Sequence, residues 1–360
     1  MKHYPLIALL ALSLSACQSQ EQTILVSEQE QEAEFPAQMV SESTRSAATA
    51  LIASLSDEQQ KLVLYEIKAS LRKDWHFIPR ERQGLMLGDM TAQQKKLVHQ
   101  LMQTALSESG YLKATDIIWL ETILYELSNQ APFRDPGKYA LQIFGDPADK
   151  QSAWGWRLEG HHLSLNLTYT PEDIRMTPLF LGTNPAVVQE GPLAGKRVLA
   201  DVHTLAVELA ESMNDAQLKQ MMLKKKPRDI ITGPGRERDL GEPAGIRVRD
   251  LKNDQKLKLL YLIGLHQGTF EPIHFHELGQ RYRRLPKNEQ ADYKWHEDYS
   301  FAWAGPIDAD KPFYYRIHGK TLVIEYSCQG RNHVHAVMHD LTDPLQEDLL
   351  KQHYDNHEHE

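Results

Sequence analysis

The chain has 360 residues, 41% hydrophobic, 25% charged and 8% aromatic, values that exclude a collagen-like, coiled-coil or wholly disordered protein. Lys and Arg number 40 against 49 Asp and Glu, a formal net charge of -9, so no general attraction to nucleic acid is expected. Two cysteines, Cys17 and Cys328, rule out a disulfide framework and a cysteine-rich zinc or iron–sulfur site, which leaves the 17 histidines as the informative residues.

The chain opens with Lys2 and an apolar run from Pro5 to Ala16, too short to span a bilayer as a helix of about 20 residues. It ends in Leu14-Ser15-Ala16-Cys17, which resembles a bacterial lipoprotein signal cleaved before an acylated cysteine. Cleavage there removes Lys2 and no acid, taking the net charge from -9 to -10. Gln18 rather than Asp follows Cys17, and by resemblance to Gram-negative lipoproteins this implies the outer membrane, with the protein facing the periplasm. Residues 1–16 are thus the expected signal peptide. Residues 17–45, rich in Gln, Glu and Ser, are the expected lipidated cysteine and flexible tether, since that composition cannot bury a core.

A single domain is expected over residues 46–345, helical over 46–130. Ser56-Asp57-Glu58 is a start signal, with Leu51, Leu55, Leu62, Leu64 and Ile67 at helix-compatible spacings. Thr91-Ala92-Gln93-Gln94 opens a second helix carrying Leu97, Leu101, Met102 and Leu106, and Gly110 is read as its end. Thr115-Asp116 is read as the cap of a third. From about Arg134 turn signals appear at Asp135-Pro136-Gly137 and Gly145-Asp146-Pro147. Trp154 to Tyr169 then alternates like strand. Helices follow at Val198–Lys224 and Asp254–Gly268. Strands close the domain at Tyr299–Ala304, Pro312–Ile317, Thr321–Tyr326 and His333–His339, the middle two forming a hairpin through His318-Gly319-Lys320. The class is α+β: N-terminal helices packed on a C-terminal, mainly antiparallel sheet region with additional helices. Residues 346–360 form a polar, histidine-bearing tail.

The strands carry the candidate site. Read as one strand, Leu158–Thr168 puts Leu163, Leu165 and Leu167 on one face, with Glu159 and His161 on that leucine side. His162, Ser164, Asn166 and Thr168 fall on the other. In Asn332–His339, His333, His335 and His339 share a face opposite Val334, Ala336 and Met338. Glu325 faces away from Leu322, Ile324 and Tyr326, with Arg316 across the hairpin. In one sheet, His162, His333, His335, Glu325 and Arg316 would gather on one side.

Two imidazoles of an H-x-H pair on a strand, joined by a third from a neighbouring strand, can chelate one metal and leave coordination positions open. The candidate ligands are His161, His162, His333 and His335. Glu159 and Glu325 are the candidate partners or general bases, and Arg316 would orient an anionic group. Neutral imidazoles suit a divalent Zn, Cu or Fe. Ligand nitrogens more than about 8 Å apart would exclude the site, since each lies near 2 Å from a zinc-like ion. His274 and His276 repeat the spacing in a less strand-like setting.

The competing reading is a non-catalytic lipoprotein that holds a metal or an envelope component on the polar sheet face, and a third is a structural outer-membrane partner whose histidines are surface residues. The sequence contains no G-x-G-x-x-G after a strand, no G-x-S-x-G, no H-E-x-x-H and no P-loop. The expected partners are therefore a membrane, through the N-terminal lipid, and an unidentified small molecule or envelope component.

Long motifs in order give a family resemblance. They include Arg134-Asp135-Pro136, Ile143-Phe144-Gly145 and Trp154-Gly155-Trp156-Arg157-Leu158-Glu159-Gly160-His161-His162-Leu163-Ser164-Leu165-Asn166. Thr177-Pro178-Leu179-Phe180, Asn184-Pro185-Ala186, Phe301-Ala302-Trp303-Ala304-Gly305, Tyr314-Tyr315-Arg316-Ile317 and Asn332-His333-Val334-His335 continue the series, and His353-Tyr354 ends it. The chain resembles, over about residues 70–355, the family catalogued as domain of unknown function 3500, which implies no particular activity. It departs from the family pattern at Ser327-Cys328, where an acidic stretch is expected, and at Met338-His339, where a Trp-Arg pair is expected.

Overall fold

In the computed structural model, the described residues are 37–171, 174–269, 299–330 and 332–342. The signal segment, Cys17, most of the tether, His274, His276 and the tail histidines lie outside them. Helices and short strands come first: α1 Ala37–Ala53, α2 Asp57–Val63, β1 Leu64–Tyr65, β2 Leu85–Met86, α3 Ala92–Ala105 and α4 Glu108–Leu127. Strands β3 Ala140–Phe144, β4 Trp154–Gly160, β5 Leu163–Tyr169, β6 Ile174–Arg175 and β7 Leu179–Thr183 follow. Then come α5 Ala200–Glu211, α6 Asp215–Met221, β8 Ile246–Arg247 and α7 Asn253–Gln267. Strands β9 Ser300–Ala304, β10 Tyr314–His318, β11 Leu322–Gly330 and β12 His333–Asp340 complete the chain of elements.

The strands form one sheet in the order β1-β3-β4-β5-β7-β12-β11-β10-β9-β8, with β2 beside β3 and β6 beside β5. Pairing is antiparallel apart from β1 against β3. This is the α+β arrangement expected.

Local chemistry sets the helix starts. Ser56 and Thr91 each close a capping box, with Gln59 and Gln94. Gly110 does not end α3, and Thr115-Asp116 does not cap a helix. Ser107 caps α4 by accepting from the Gly110 N–H. Gly110 is required there for space: a Cβ would sit 1.7 Å from the Thr269 carbonyl oxygen. Helix α1 begins at Ala37, inside the segment read as tether. Its Thr44 and Arg45 are buried, and Arg45 donates to the Pro147 and Asp149 carbonyls at 3.2 and 2.7 Å. Polar composition hid this because the helix docks partly through hydrogen bonds.

The two faces of the sheet are covered differently. Helices pack on the face bearing Trp154, Trp156, Leu165, Leu181, Ile324, Tyr326, Ala336 and Met338, and make the main apolar core. The opposite face is polar yet buried. Irregular segments around residues 66–84 and 223–245 lie over it, sealed by a smaller cluster of Trp75, Phe77, Phe180, Ile230 and Val337. Many of its polar groups are paired, as buried ones usually are, whereas Ser327 Oγ, His335 Nε2 and His339 Nδ1 are buried with no hydrogen-bond partner. Arg157 donates to Asn166 at 2.6 Å and to the Leu71 carbonyl at 3.0 Å. Glu159 accepts from the His76 N–H at 2.8 Å.

One register correction matters for the site. Leu158–Thr168 is not a single strand: His161 and His162 are the two-residue turn between β4 and β5. Glu159 pairs with Ser164 and Leu158 with Leu165. The turn resets the alternation, so Glu159 lies with Arg157 and Ser164 on the polar face, not with the leucines.

Candidate metal centre

His162, His333 and His335 converge where the β4–β5 turn meets the start of β12. Their ligand nitrogens all lie within 4.8 Å of one another, well inside the limit set above. His162 adopts φ 66°, a left-handed conformation uncommon for a non-glycine residue. Its backbone is held on both sides: its N–H donates to the Phe77 carbonyl at 2.9 Å, and its carbonyl accepts from the Gly182 N–H at 2.7 Å. His335 sits in β12 opposite Gly182 of β7 and Ser327 of β11. His333 follows a register shift between Cys328 and Gly330 and is the most exposed of the three.

Gly182 makes the approach possible. A Cβ there would lie 3.0 Å from Cδ2 of both His162 and His335 and 3.1 Å from Cε1 of Phe180. Phe77 and Phe180 stack at 3.9 Å and press edge-on against His335 at 5.2 and 5.1 Å between ring centroids. The imidazoles are thus fixed by aromatic packing as well as by the sheet.

Asp229, from the 223–245 segment, meets His335 Nδ1 with both carboxylate oxygens at 2.9 Å. The Nδ1–H donates to that carboxylate, so the lone pair falls on Nε2. Burial pushes the Asp229 carboxyl up. The hydrogen bond and charge of His335, the Ile230 N–H and the Gln329 amide more than reverse this, leaving it below the usual aspartate value. His335 Nε2 is buried and has no hydrogen-bond partner. His162 Nε2 and His333 Nε2 stand 2.8 Å apart.

The rings fit a common ion. A ring bound through one nitrogen at about 2.0–2.1 Å keeps its centre about 3.2 Å from the metal, so ligand angles of about 90–110° need centroid separations of about 4.5–5.2 Å. The separations are 4.8 Å for His162–His333, 5.2 Å for His162–His335 and 4.5 Å for His333–His335, with the planes crossing at 65°, 57° and 86°.

A second group, Glu121, His161 and His162, also gathers ligand atoms within 4.8 Å. Its rings are arranged differently. His161 stacks on His162 with centroids 3.6 Å apart and planes 30° from parallel, whereas lone pairs lie in the ring planes. Both His161 nitrogens are engaged by side chains: Nδ1 meets Glu121 Oε2 at 2.5 Å, and Arg134 Nη1 lies 2.8 Å from Nδ1 and 3.0 Å from Nε2. A cavity of about 60 Å³ opens over this pair, lined also by Arg80, Arg82, Phe133, Lys138 and Tyr139.

Burial disfavours charge on His161, His162, His333 and Glu121. Burial, then the neighbouring histidines, hold His162 well below the ordinary imidazole value. Burial, then Arg134, takes His161 down to about 2, and burial, then His335, takes His333 down to about 4. Burial lifts Glu121 to about 7 against the pull of Arg134 and Arg82. Neutral imidazole is the form that binds a metal.

The remaining expected residues lie elsewhere. Glu325 is fully buried and satisfied by the Ile231 and Thr232 N–H groups at 2.8 and 2.7 Å and the Tyr314 hydroxyl at 2.6 Å. It anchors the 223–245 segment and is not offered to the histidines. Arg316 is its cross-strand neighbour. Glu159 holds the 66–84 segment through His76 and lies 3.7 Å from Arg82 Nε. Cys328 belongs to the apolar core, on the face away from the histidine trio. Glu121, Asp229, Gly182 and Phe77 were not foreseen. Asp229 lies in an irregular segment, and Glu121 shows only as one more acid on a helix.

Fold and site define an α+β protein with a buried cluster of histidines, flanked by carboxylates, that could hold a metal ion. The chain belongs to the family described as Protein of unknown function (DUF3500), whose model matches residues 37–343, beginning where α1 begins. No curated protein matches the chain, and no solved structure does.

Proposed function

We propose that the protein is a lipid-anchored envelope metalloprotein whose His162, His333 and His335 bind one divalent ion through three nitrogens, and that the ion serves a hydrolase or oxidoreductase reaction. The observation that carries this reading is His335: a carboxylate fixes its Nδ1, and its other nitrogen is buried, unpartnered and close to two more imidazoles. An orphaned buried acceptor is costly, and an outer-shell carboxylate on a ligand histidine is the arrangement metal sites use. The crossed rings of the trio favour it over the Glu121–His161–His162 group, whose 3.6 Å stack corresponds to a ligand angle of only about 70°.

Within such a centre the ion would supply Lewis acidity to a bound water or substrate. The chain's own contributions are distinct. Asp229 holds the His335 tautomer, Gly182 admits the rings, and Phe77 and Phe180 exclude water. Glu121 lies at the cavity with a pKa near 7, suited to taking up or releasing a proton at working pH. His161 packs between it and His162.

One feature favours the second reading, a non-catalytic metal holder. The cavity is lined by His161 and not by the trio, two of whose rings are deeply buried. Elemental analysis of the purified chain tests the metal reading. About one equivalent of a divalent metal is expected, lost in His333→Ala and His335→Ala and retained in Glu325→Gln. No stoichiometric metal in the parent after incubation with Zn, Cu and Fe would overturn it.

A further inference from the structure

The acidic chain carries a concentrated basic stretch near the end of α6. Residues 219–252 hold ten Lys and Arg against five Asp and Glu, a net charge of +5 that leaves -14 for the rest of the chain. Much of this charge borders one edge of the sheet. Helix α6, carrying Lys219, packs on β9 and β8. Met222 bridges to Trp303, and the Leu223 N–H donates to the Trp303 carbonyl at 2.7 Å, which sets Lys224, Lys225 and Lys226 beside one end of β9. At its other end β8 pairs Arg247 with Ser300, and Arg249 follows. Among the described residues β8 ends the strand order, so these cations flank the edge of the described sheet. Lys219, Lys224, Lys225, Arg247 and Arg249 are exposed and Lys226 is half-buried. Among the described residues none of the six forms an ion pair. The acids on the same elements are the exposed Asp215 and Asp250.

We propose that this strip is a docking surface for an anionic phospholipid bilayer. Lysines on flexible stems gain from phosphate-rich surfaces without a fixed geometry. Residues 219–252 contain no Trp, Tyr or Phe, so the stacking platform that single-stranded nucleic acid needs is missing. The lysine run does begin beside Met222, which is 40% exposed, an apolar side chain placed to enter an interface next to headgroup-binding cations. The same 223–245 segment supplies Asp229 to His335 and the N–H groups that hold Glu325, so the docked face is built on a segment anchored at two buried points.

The test is vesicle co-sedimentation of the full chain carrying Cys17→Ser, which removes the acyl group. Binding is compared on vesicles of phosphatidylcholine alone and with one third phosphatidylglycerol. At about fivefold per cation near an anionic surface, Lys224→Ala/Lys225→Ala/Lys226→Ala should lower partitioning onto the anionic vesicles about 100-fold. The control Lys61→Ala/Lys95→Ala/Lys96→Ala, exposed positions elsewhere, should lower it far less. Raising salt to 0.5 M should release the parent, because the screening length falls well below about 10 Å. Unchanged circular dichroism and thermal midpoint in both variants keep the comparison valid. Equal binding to both vesicle types, equal loss in both variants, or binding to a soluble polyanion with none to vesicles would overturn the proposal. So would no binding at all, in which case the lysines serve only to discourage edge-to-edge strand pairing.

Discussion

Gly182→Ala separates the metal centre from the fold that carries it. The new methyl group would meet Cδ2 of His162 and of His335 at 3.0 Å each and Cε1 of Phe180 at 3.1 Å, where carbon atoms prefer about 3.5–4.0 Å. Each imidazole must therefore retreat by about 0.5 Å. Metal sites tolerate ligand displacements of only about 0.2 Å. The expected loss of metal affinity is therefore about 100-fold or more, at the top of the range for disturbing a ligand's supporting residues. Stability should change less. Overpacking costs about 1–3 kcal/mol, partly offset by the about 0.5–1 kcal/mol that Ala gains over Gly within a strand. The assay is a competitive titration of the apo protein with a chromophoric chelator, run beside chemical denaturation without metal. A variant that keeps parental affinity and stoichiometry would refute the convergence of His162 and His335 on one ion.

Three further outcomes follow from the same geometry. Asp229→Asn keeps a hydrogen-bond acceptor for His335 but removes the charge, and should weaken metal binding by about 10–100-fold in the same titration. Burial holds Glu121 at about 7 instead of 4.5, so its folded-state contribution is fully present below pH 4.5 and is lost as pH rises through 7. Glu121→Gln should match the parent near pH 4.5 and gain on it by up to about 3 kcal/mol at pH 8, read from denaturation midpoints; a constant difference across this window would contradict the assigned burial. His333 is instead depressed to about 4 and His161 to about 2. Their contribution is present above pH 6.5 and is lost on acidification through 4 and then 2. In the Glu121→Gln background, which removes the opposing titration, apo-protein stability should fall from pH 6.5 to 4, and a flat profile there would contradict burial of these two imidazoles.

Much of the C-terminal half was legible because short β-rich runs separated by turn residues leave few alternatives. The strand ending at Asp340, with His333 and His335 on one face, is an instance. Helix starts at Ser56 and Thr91 were legible because the chemistry is local, and the structure shows each as a capping box. Three features were not. The β4–β5 turn has His161-His162 where Asn-Gly or Gly would signal a hairpin, so the reading ran through it and put Glu159 on the wrong face. Gly110 looks like a helix end, yet its reason for being glycine is a carbonyl 159 residues away at Thr269. Asp229 and Gly182 matter only through tertiary contacts with His335, which no periodicity encodes. The trio is legible because the H-x-H spacing puts His333 and His335 on the strand face opposite the apolar residues, with His162 on a neighbouring segment. Glu325 was misjudged on that same logic, since a buried acid also arises where a loop must be anchored.

The most direct measurement is an anomalous difference map from crystals of the full chain grown with a divalent metal, collected on both sides of that metal's absorption edge. The account predicts one strong peak bound by nitrogens of His162, His333 and His335, with Nε2 as the His335 donor, about 2.0–2.2 Å from each and with Asp229 still on His335 Nδ1. A peak at Glu121 and His161 with none in the trio, or His335 Nε2 left unligated at saturating metal, would contradict it.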